Sequence, residues 1–207
     1  VFTSLIEKRR SIRKFAPREV ESERIEMLLE AALRSPSSRG FNPWHFIVVT
    51  DRSLLEKLSK AKQHGSSFLR NAPLGIVICG NPDKSDVWVE DCSIASIFIH
   101  LAAASLDIGS CWIQIRERMH DTTKTAEAYV KDILDIPGNL RVESIIAAGY
   151  PDEKKPPHKK DDLQYKKVHH DFFGRSYYHP LVANPSPRPS IQRVSLTGCC
   201  GGGKQTR

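Results

Sequence analysis

The chain is 207 residues long, enough for one well-cored domain with a tail, and its apolar fraction of 40% is ordinary for a soluble globular protein. Its 31 Lys and Arg against 24 Asp and Glu give a net charge of +7, which raises nucleic acid and membrane surfaces as partners. Five of the cations and no acid fall from Arg175 onward, leaving only +2 over residues 1–174, so the excess belongs to the tail and argues against a basic nucleic-acid module.

Leu5 and Ile6 sit in a short helical stretch that runs into Arg9-Arg10-Ser11-Ile12-Arg13. Three guanidinium forks and a hydroxyl within five residues suit an anion, although an isolated cluster of this kind is more often a solvated basic turn. Pro17 then breaks the stretch. From Glu21 the spacing of Ile25, Leu28, Leu29, Ala32 and Leu33 predicts a helix with one buried face, ended by Ser35-Pro36. A polar loop from Ser35 to Trp44 leads into a β-type run from His45 to Thr50. Asp51 is placed to cap a helix from Leu54 to about Ala61, and Gly65 with Asn71-Ala72-Pro73 marks loop.

Leu74 to Cys79 is short and apolar on both faces, the pattern of a strand in the middle of a sheet. Asp86 is expected to cap the longest helix. Its stretch from Cys92 to Leu106 is almost wholly apolar, so it is buried on all sides, by its own domain or by a partner subunit. That run is too short to span a bilayer and contains His100. Asp107-Ile108-Gly109 closes it, and Ser110 to Ile115 predicts a third strand with alternation at Trp112, Gln114 and Arg116. Tyr129, Val130, Ile133 and Leu134 predict a helix ending before Pro137-Gly138, and Arg141 to Ala148 a fourth strand. The order of elements is that of a mixed α/β or α+β sandwich without internal repeats.

Cys79, Cys92 and Cys111 lie in apolar runs and, with Cys199 and Cys200, form no CxxC pair; they read as reduced core thiols of a cytoplasmic protein. The N-terminus shows no signal-peptide pattern. After about His179 proline, serine and glycine dominate, and an extended or disordered tail is expected. Gly198 to Lys204 has the glycine and lysine spacing of a phosphate-binding loop, but Gln205 stands where Ser or Thr belongs and no strand precedes it. His169-His170-Asp171 has no partner cluster and reads as a solvated turn rather than a metal site. No GxGxxG follows a strand.

Four stretches change the weight of the arginine cluster: Arg9 to Arg13, Pro36 to Trp44, Gly109 to Gln114 and Ala148-Gly149-Tyr150-Pro151. In that order and spacing, over roughly residues 3–170, they closely resemble the FMN-dependent nitroreductase family. The resemblance implies an α+β fold, with a central, mainly antiparallel sheet flanked by helices and a long central helix buried in a homodimer interface. The FMN-binding domain would span residues 1–178 and the tail 179–207. Arg9, Arg10, Ser11 and Arg13 match the segment that binds the FMN phosphate, ribityl chain and pyrimidine edge. Pro36, Ser37, Ser38 and Arg39 match the stretch that reaches the flavin of the other subunit, and Asn42 a flavin contact, so each site would need two chains. Trp112, Ile113 and Gln114 match the strand that passes the ring, with a backbone amide at or near Gln114 facing N5. Lys160, with Lys159 beside it, is the choice for the C-terminal phosphate-binding cation, ahead of Arg175. The resemblance departs at Gly40, where many members carry Asn, and after Arg175, where nothing matches.

The implied reaction passes a hydride from NADH or NADPH to flavin N5 and on to an electron-poor acceptor such as a nitroaromatic or a quinone, in a ping-pong cycle. Arginines near the pyrimidine oxygen would stabilise the anionic reduced flavin. No side chain is an evident nucleophile or general base, so no catalytic residue is assigned, and Phe41 is either a substrate wall or a core aromatic. The same fold admits fragmentation or dehalogenation, because fold does not fix function.

Overall fold

Four strands make one sheet within residues 2–178, the span that the computed structural model describes. They are β1 (Trp44–Val49), β2 (Leu74–Gly80), β3 (Gly109–Gln114) and β4 (Arg141–Gly149), in the order β1-β2-β4-β3 with every neighbouring pair antiparallel. The two inner strands are buried on both faces: all of β2, which is apolar throughout, and all of β4 beyond Arg141, including the polar Glu143 and Ser144. Alternation sends Val77, Cys79, Ile145 and Ala147 to one face, beneath α3 (Arg52–Leu58) and α5 (Ala126–Leu134). Leu74, Ile76, Ile78, Ile146 and Ala148 go to the other, beneath α2 (Ser22–Leu33) and α4 (Trp88–Ser105). Each such fully buried Leu or Ile stabilises the fold by about 1.5–3 kcal/mol, so two apolar layers clamp one sheet.

Local signals set most helix ends. Asp51 accepts from Leu54 N at 2.8 Å, so α3 starts at Arg52, and Thr125 accepts from Ala128 N at 3.1 Å to start α5. Asp86 does not cap α4: it is exposed, Val87 holds the cap position without a side-chain bond, and Ser85 bonds instead to Asp91 in the first turn. At the far end, Asp107 takes the left-handed conformation (φ 55°) and Ile108 N closes on Ala103 O at 2.8 Å. The chain covers only half of α4. Cys92, Ala95, Ile99 and Ala103 are buried, whereas Ile94, Phe98 and Leu101 are half-buried and Ile97 is 43% exposed.

Residues up to Lys159 form one compact unit, and a second begins at Lys160. The described part of the second holds two short 3-10 turns, Lys160–Asp162 and Tyr165–Lys167, and an antiparallel bridge from His169 to Ser176. Among the described residues no helix is long and apolar enough to cross a membrane, and Cys79, Cys92 and Cys111 are free thiols. The expected tail from His179, with Gly198 to Lys204, Cys199 and Cys200, lies outside the described residues.

Candidate functional site

The arginine segment is stitched between β3 and the chain leaving β4. After α1 (Phe2–Lys8), Ser11 forms a parallel bridge with Ser110, and Ile12 N donates to Ser110 O at 3.0 Å. Phe15 bridges Pro151 in the opposite sense, with Ala16 N on Tyr150 O at 2.8 Å and Asp152 N on Lys14 O at 2.9 Å. Glycine at 109 makes the first approach possible, since a Cβ there would stand 2.8 Å from Ile12 Cγ2. Glu153 locks the second: its Oε1 accepts from Arg13 N at 2.5 Å and Lys14 N at 3.2 Å and pairs with Lys155 at 3.1 Å. The Arg13 amide, assisted by Lys155 and Lys14, holds this carboxyl below its usual range. Lys155 also donates to Ser11 O at 2.6 Å, and the Arg10 guanidinium donates to Pro156 O.

These contacts leave a cavity of about 440 Å³ between α1, the C-terminal end of α4 and the start of β3. Five cations, Lys8, Arg9, Arg10, Lys154 and Lys155, line it against two carboxylates, Asp107 and Glu153. Gly109 and Ser110 form its back wall. Behind Ser110, the His100 imidazole places Nδ1 2.7 Å from the Ser110 hydroxyl, both residues being buried. Burial, with the field of Arg9, holds His100 down to about 4, so it is neutral at pH 7.

Arg13 turns away from Arg9 and Arg10, its guanidinium 5.8 Å from the Phe68 ring. Arg13, Lys155 and Lys62 all act on Cys111, opposing the burial that pushes its thiol up. Lys62 is itself pulled down, first by burial and then by the field of Arg118. A second set of cations therefore gathers beside β3.

β3 is an edge strand. Ile115 N bonds Glu143 O on the β4 side, whereas Ser110 O serves Ile12 on the open side. Backbone alternation consequently turns the N–H groups of Trp112 and Gln114 to the open edge. Ile113 is fully buried beneath α3 and α5, so its side chain belongs to the core. Trp112 Nε1 donates to Gln114 Oε1 at 2.9 Å, and Gln114 Nε2 bonds Arg116 O at 3.2 Å and Glu143 Oε1 at 3.4 Å. Burial pushes the Glu143 carboxyl up, and its Oε2 is buried without a partner.

The loop after α2 stands apart. Asp91, 2% exposed, accepts from Ser38 N at 2.7 Å and from the Ser85 hydroxyl at 2.9 Å, tying the loop to the first turn of α4. The Ser37 hydroxyl donates to Asn42 Oδ1 at 2.7 Å and accepts from Asn42 N at 2.9 Å. Arg39, Gly40 and Asn42 are all left-handed (φ 52°, 69° and 47°), which turns Arg39 and Phe41 outward, and Pro36 is exposed as well. Phe41 is 43% exposed and so is not a core aromatic. Asp91 anchors this loop at one end of α4 while Ala104 lines the arginine cavity at the other, a separation of about 20 Å at helical rise. One chain therefore does not unite the two groups.

Lys159 is exposed and does not line the cavity, and Lys160 opens the second unit. Sequence reasoning passed over Lys154 and Lys155, which lie in a stretch that reads as solvated, and over Lys62 and His100. The clue to the first two was Pro151, since the resemblance already joined it to the arginine segment.

The nitroreductase family model matches residues 6–150. An FMN-dependent nitroreductase structure from Clostridium difficile R20291 is 48% identical, with a TM-score of 0.82 over 83% of this chain and 99% of that one. A protein of Archaeoglobus fulgidus, provisionally named NADH dehydrogenase/NAD(P)H nitroreductase, is 41% identical over 162 residues, 76% of this chain and 90% of its own. An iodotyrosine deiodinase of Thermotoga neapolitana is 21% identical over 77% of this chain and 93% of its own.

Proposed function

The chain belongs to the nitroreductase family, and from that premise we propose that it works as a homodimeric, FMN-dependent oxidoreductase using NADH or NADPH. The observation that carries the reading is the arginine cavity against the open edge of β3. Its donor chemistry fits a phosphate monoester: Arg9 and Arg10 bring guanidinium forks, and Lys154 and Lys155 add ammonium groups. Ser11 would serve the ribityl chain, and Arg13, joined by Lys62, the pyrimidine edge. The outward amides of Trp112 and Gln114 would run beside the ring, with Ile113 holding the strand in place from the core.

When bound, FMN supplies two-electron chemistry, taking a hydride from the nicotinamide and passing it to an electron-poor acceptor such as a nitroaromatic or a quinone. The protein's part is to orient both substrates in turn and to stabilise charge. Arg13 and Lys62 would place positive charge where negative charge develops at the pyrimidine. Buried Glu143 and half-buried Trp112 hold Gln114 at the end of β3.

A second copy completes the site. The half-open stripe of Ile94, Ile97, Phe98 and Leu101 is apolar and continuous along α4, as an obligate interface requires. Two α4 helices crossing antiparallel about a two-fold axis would bring the N-terminal end of one beside the C-terminal end of the other. That crossing spans the separation noted above and delivers Pro36, Ser37, Ser38, Arg39 and Asn42 of the partner subunit to the arginine cavity. The deiodinase relative supports a halogenated aromatic as a second acceptor class, distinguished by assaying halide release beside nitro reduction.

Replacing Arg9 and Arg13 together by alanine tests the assignment. The variant should fold, purify pale and recover activity only with excess FMN; full flavin occupancy in it would refute the proposed site.

A further inference from the structure

The hydrogen bond between His100 and Ser110 has no role in the reaction above, yet it joins the most apolar helix of the protein to the back wall of the cavity. His100 is 6% exposed and Ser110 3%, and their polar atoms meet at 2.7 Å. A histidine inside such a helix needs a reason, because burying an imidazole costs free energy that Leu or Ile would not. Ser110 is fixed in space by its neighbours: its carbonyl accepts from Ile12 N at 3.0 Å, and it bridges Ser11 between Arg10 and Ile12. The hydroxyl thus sits in a constant relation to Arg9 and Arg10.

A serine hydroxyl has one proton and two acceptor lone pairs, and a neutral imidazole has one N–H. If Ser110 donates to Nδ1, its oxygen turns lone pairs toward the cavity and repels an anion. If Nδ1–H donates to Ser110 Oγ, the single hydroxyl proton is free to point into the cavity. Burial, aided by Arg9, favours the neutral ring, so one tautomer or the other is present rather than the doubly protonated cation.

We propose that His100 is a positioning residue for the anion cavity, donating from Nδ1–H to Ser110 so that the Ser110 hydroxyl donates to the phosphate monoester held by Arg9 and Arg10. This rests on the FMN reading and deepens it. The pair would add a hydrogen bond to a charged acceptor, and it would act on the phosphate alone. It should therefore separate FMN from riboflavin, which has the same ring and ribityl chain and no phosphate.

The test is titration of full-length apoprotein with FMN and with riboflavin, followed by flavin fluorescence, which needs no turnover. Wild type should prefer FMN. Ser110→Ala and His100→Leu should each cut that preference by about tenfold or more while riboflavin affinity holds, and the double variant should lose no more than either single one. His100→Asn, whose amide nitrogen stands near the place of Nδ1, should retain the preference. Full FMN preference in folded Ser110→Ala protein would overturn the inference. So would His100→Leu weakening both flavins equally, which is a merely structural effect. Wild type that binds neither flavin would overturn the FMN reading itself, and this inference with it.

Discussion

Gly109→Ala probes how the arginine segment is held. The backbone of residue 109 lies outside the left-handed region, so alanine meets no torsional penalty, and the whole cost is steric. The added Cβ would lie 2.8, 2.9 and 3.0 Å from Cγ2, Cβ and Cγ1 of Ile12. Ile12 is 8% exposed and bonded through its amide to Ser110, so it has little room to retreat. Overpacking of this kind costs about 1–3 kcal/mol. It would also lift Arg10 and Ser11 from β3, lowering FMN affinity by at least about tenfold, since each charged hydrogen bond lost is about 1.5–3 kcal/mol. The decisive assay is a double-variant cycle with Ile12→Ala, which removes Cγ1 and Cγ2. Alone, Ile12→Ala leaves a cavity and costs about 2–5 kcal/mol. Combined with Gly109→Ala, it leaves one close contact, at Cβ, with space for it to relax. The pair should be less destabilised by denaturant unfolding than the sum of the singles, and should bind FMN better than Gly109→Ala alone. Strict additivity in both measurements would refute the argument that Ile12 and residue 109 compete for one space.

Ile97→Glu should convert the protein to monomers that lose FMN, read by light scattering and flavin absorbance, because a carboxylate on an apolar interface costs several kcal/mol per chain; a dimer with full flavin would count against α4 as the interface. Asp91→Ala removes the acceptor of Ser38 N and Ser85 Oγ, costing about 1–3 kcal/mol in unfolding free energy and loosening the loop proposed to serve the partner's site. Mixed dimers of Asp91→Ala with the Arg9→Ala, Arg13→Ala chain should regain one intact site, visible as partial FMN retention. Lowering the pH should destabilise the protein through His100. The unfolded imidazole gains its proton near 6.5 and the folded one only near 4, so stability is full above 6.5 and falls as pH drops toward 4, by about 3 kcal/mol in all. His100→Leu should lack that part of the pH dependence of thermal unfolding.

The sheet was legible because its signal is local. β2 is apolar on both faces and lies in the centre, and Asp51 caps α3. Asp86 misled because the helix starts later, at Trp88, and it is Ser85 that bonds Asp91 in the first turn of α4. The apolar character of α4 was equally plain, but only the structure separates the face its own chain buries from the stripe it leaves partly exposed. Arg9 and Arg10 stood out as candidates for an anion site through four stretches read together, and both line the cavity. Lys154 and Lys155 did not stand out, because their own neighbourhood is lysine and proline, and their place on the cavity depends on Phe15 meeting Pro151 across the chain. His100 was hidden for the opposite reason, as one polar residue in an apolar run whose partner is ten positions away on β3.

Anaerobic mixing of FMN-loaded protein with NADH and, separately, NADPH tests the central claim most directly. The flavin absorbance should bleach with at least one of the two nicotinamides and return on addition of a nitroaromatic or quinone in stoichiometric amount. A flavin that stays oxidised in the presence of both would contradict the account.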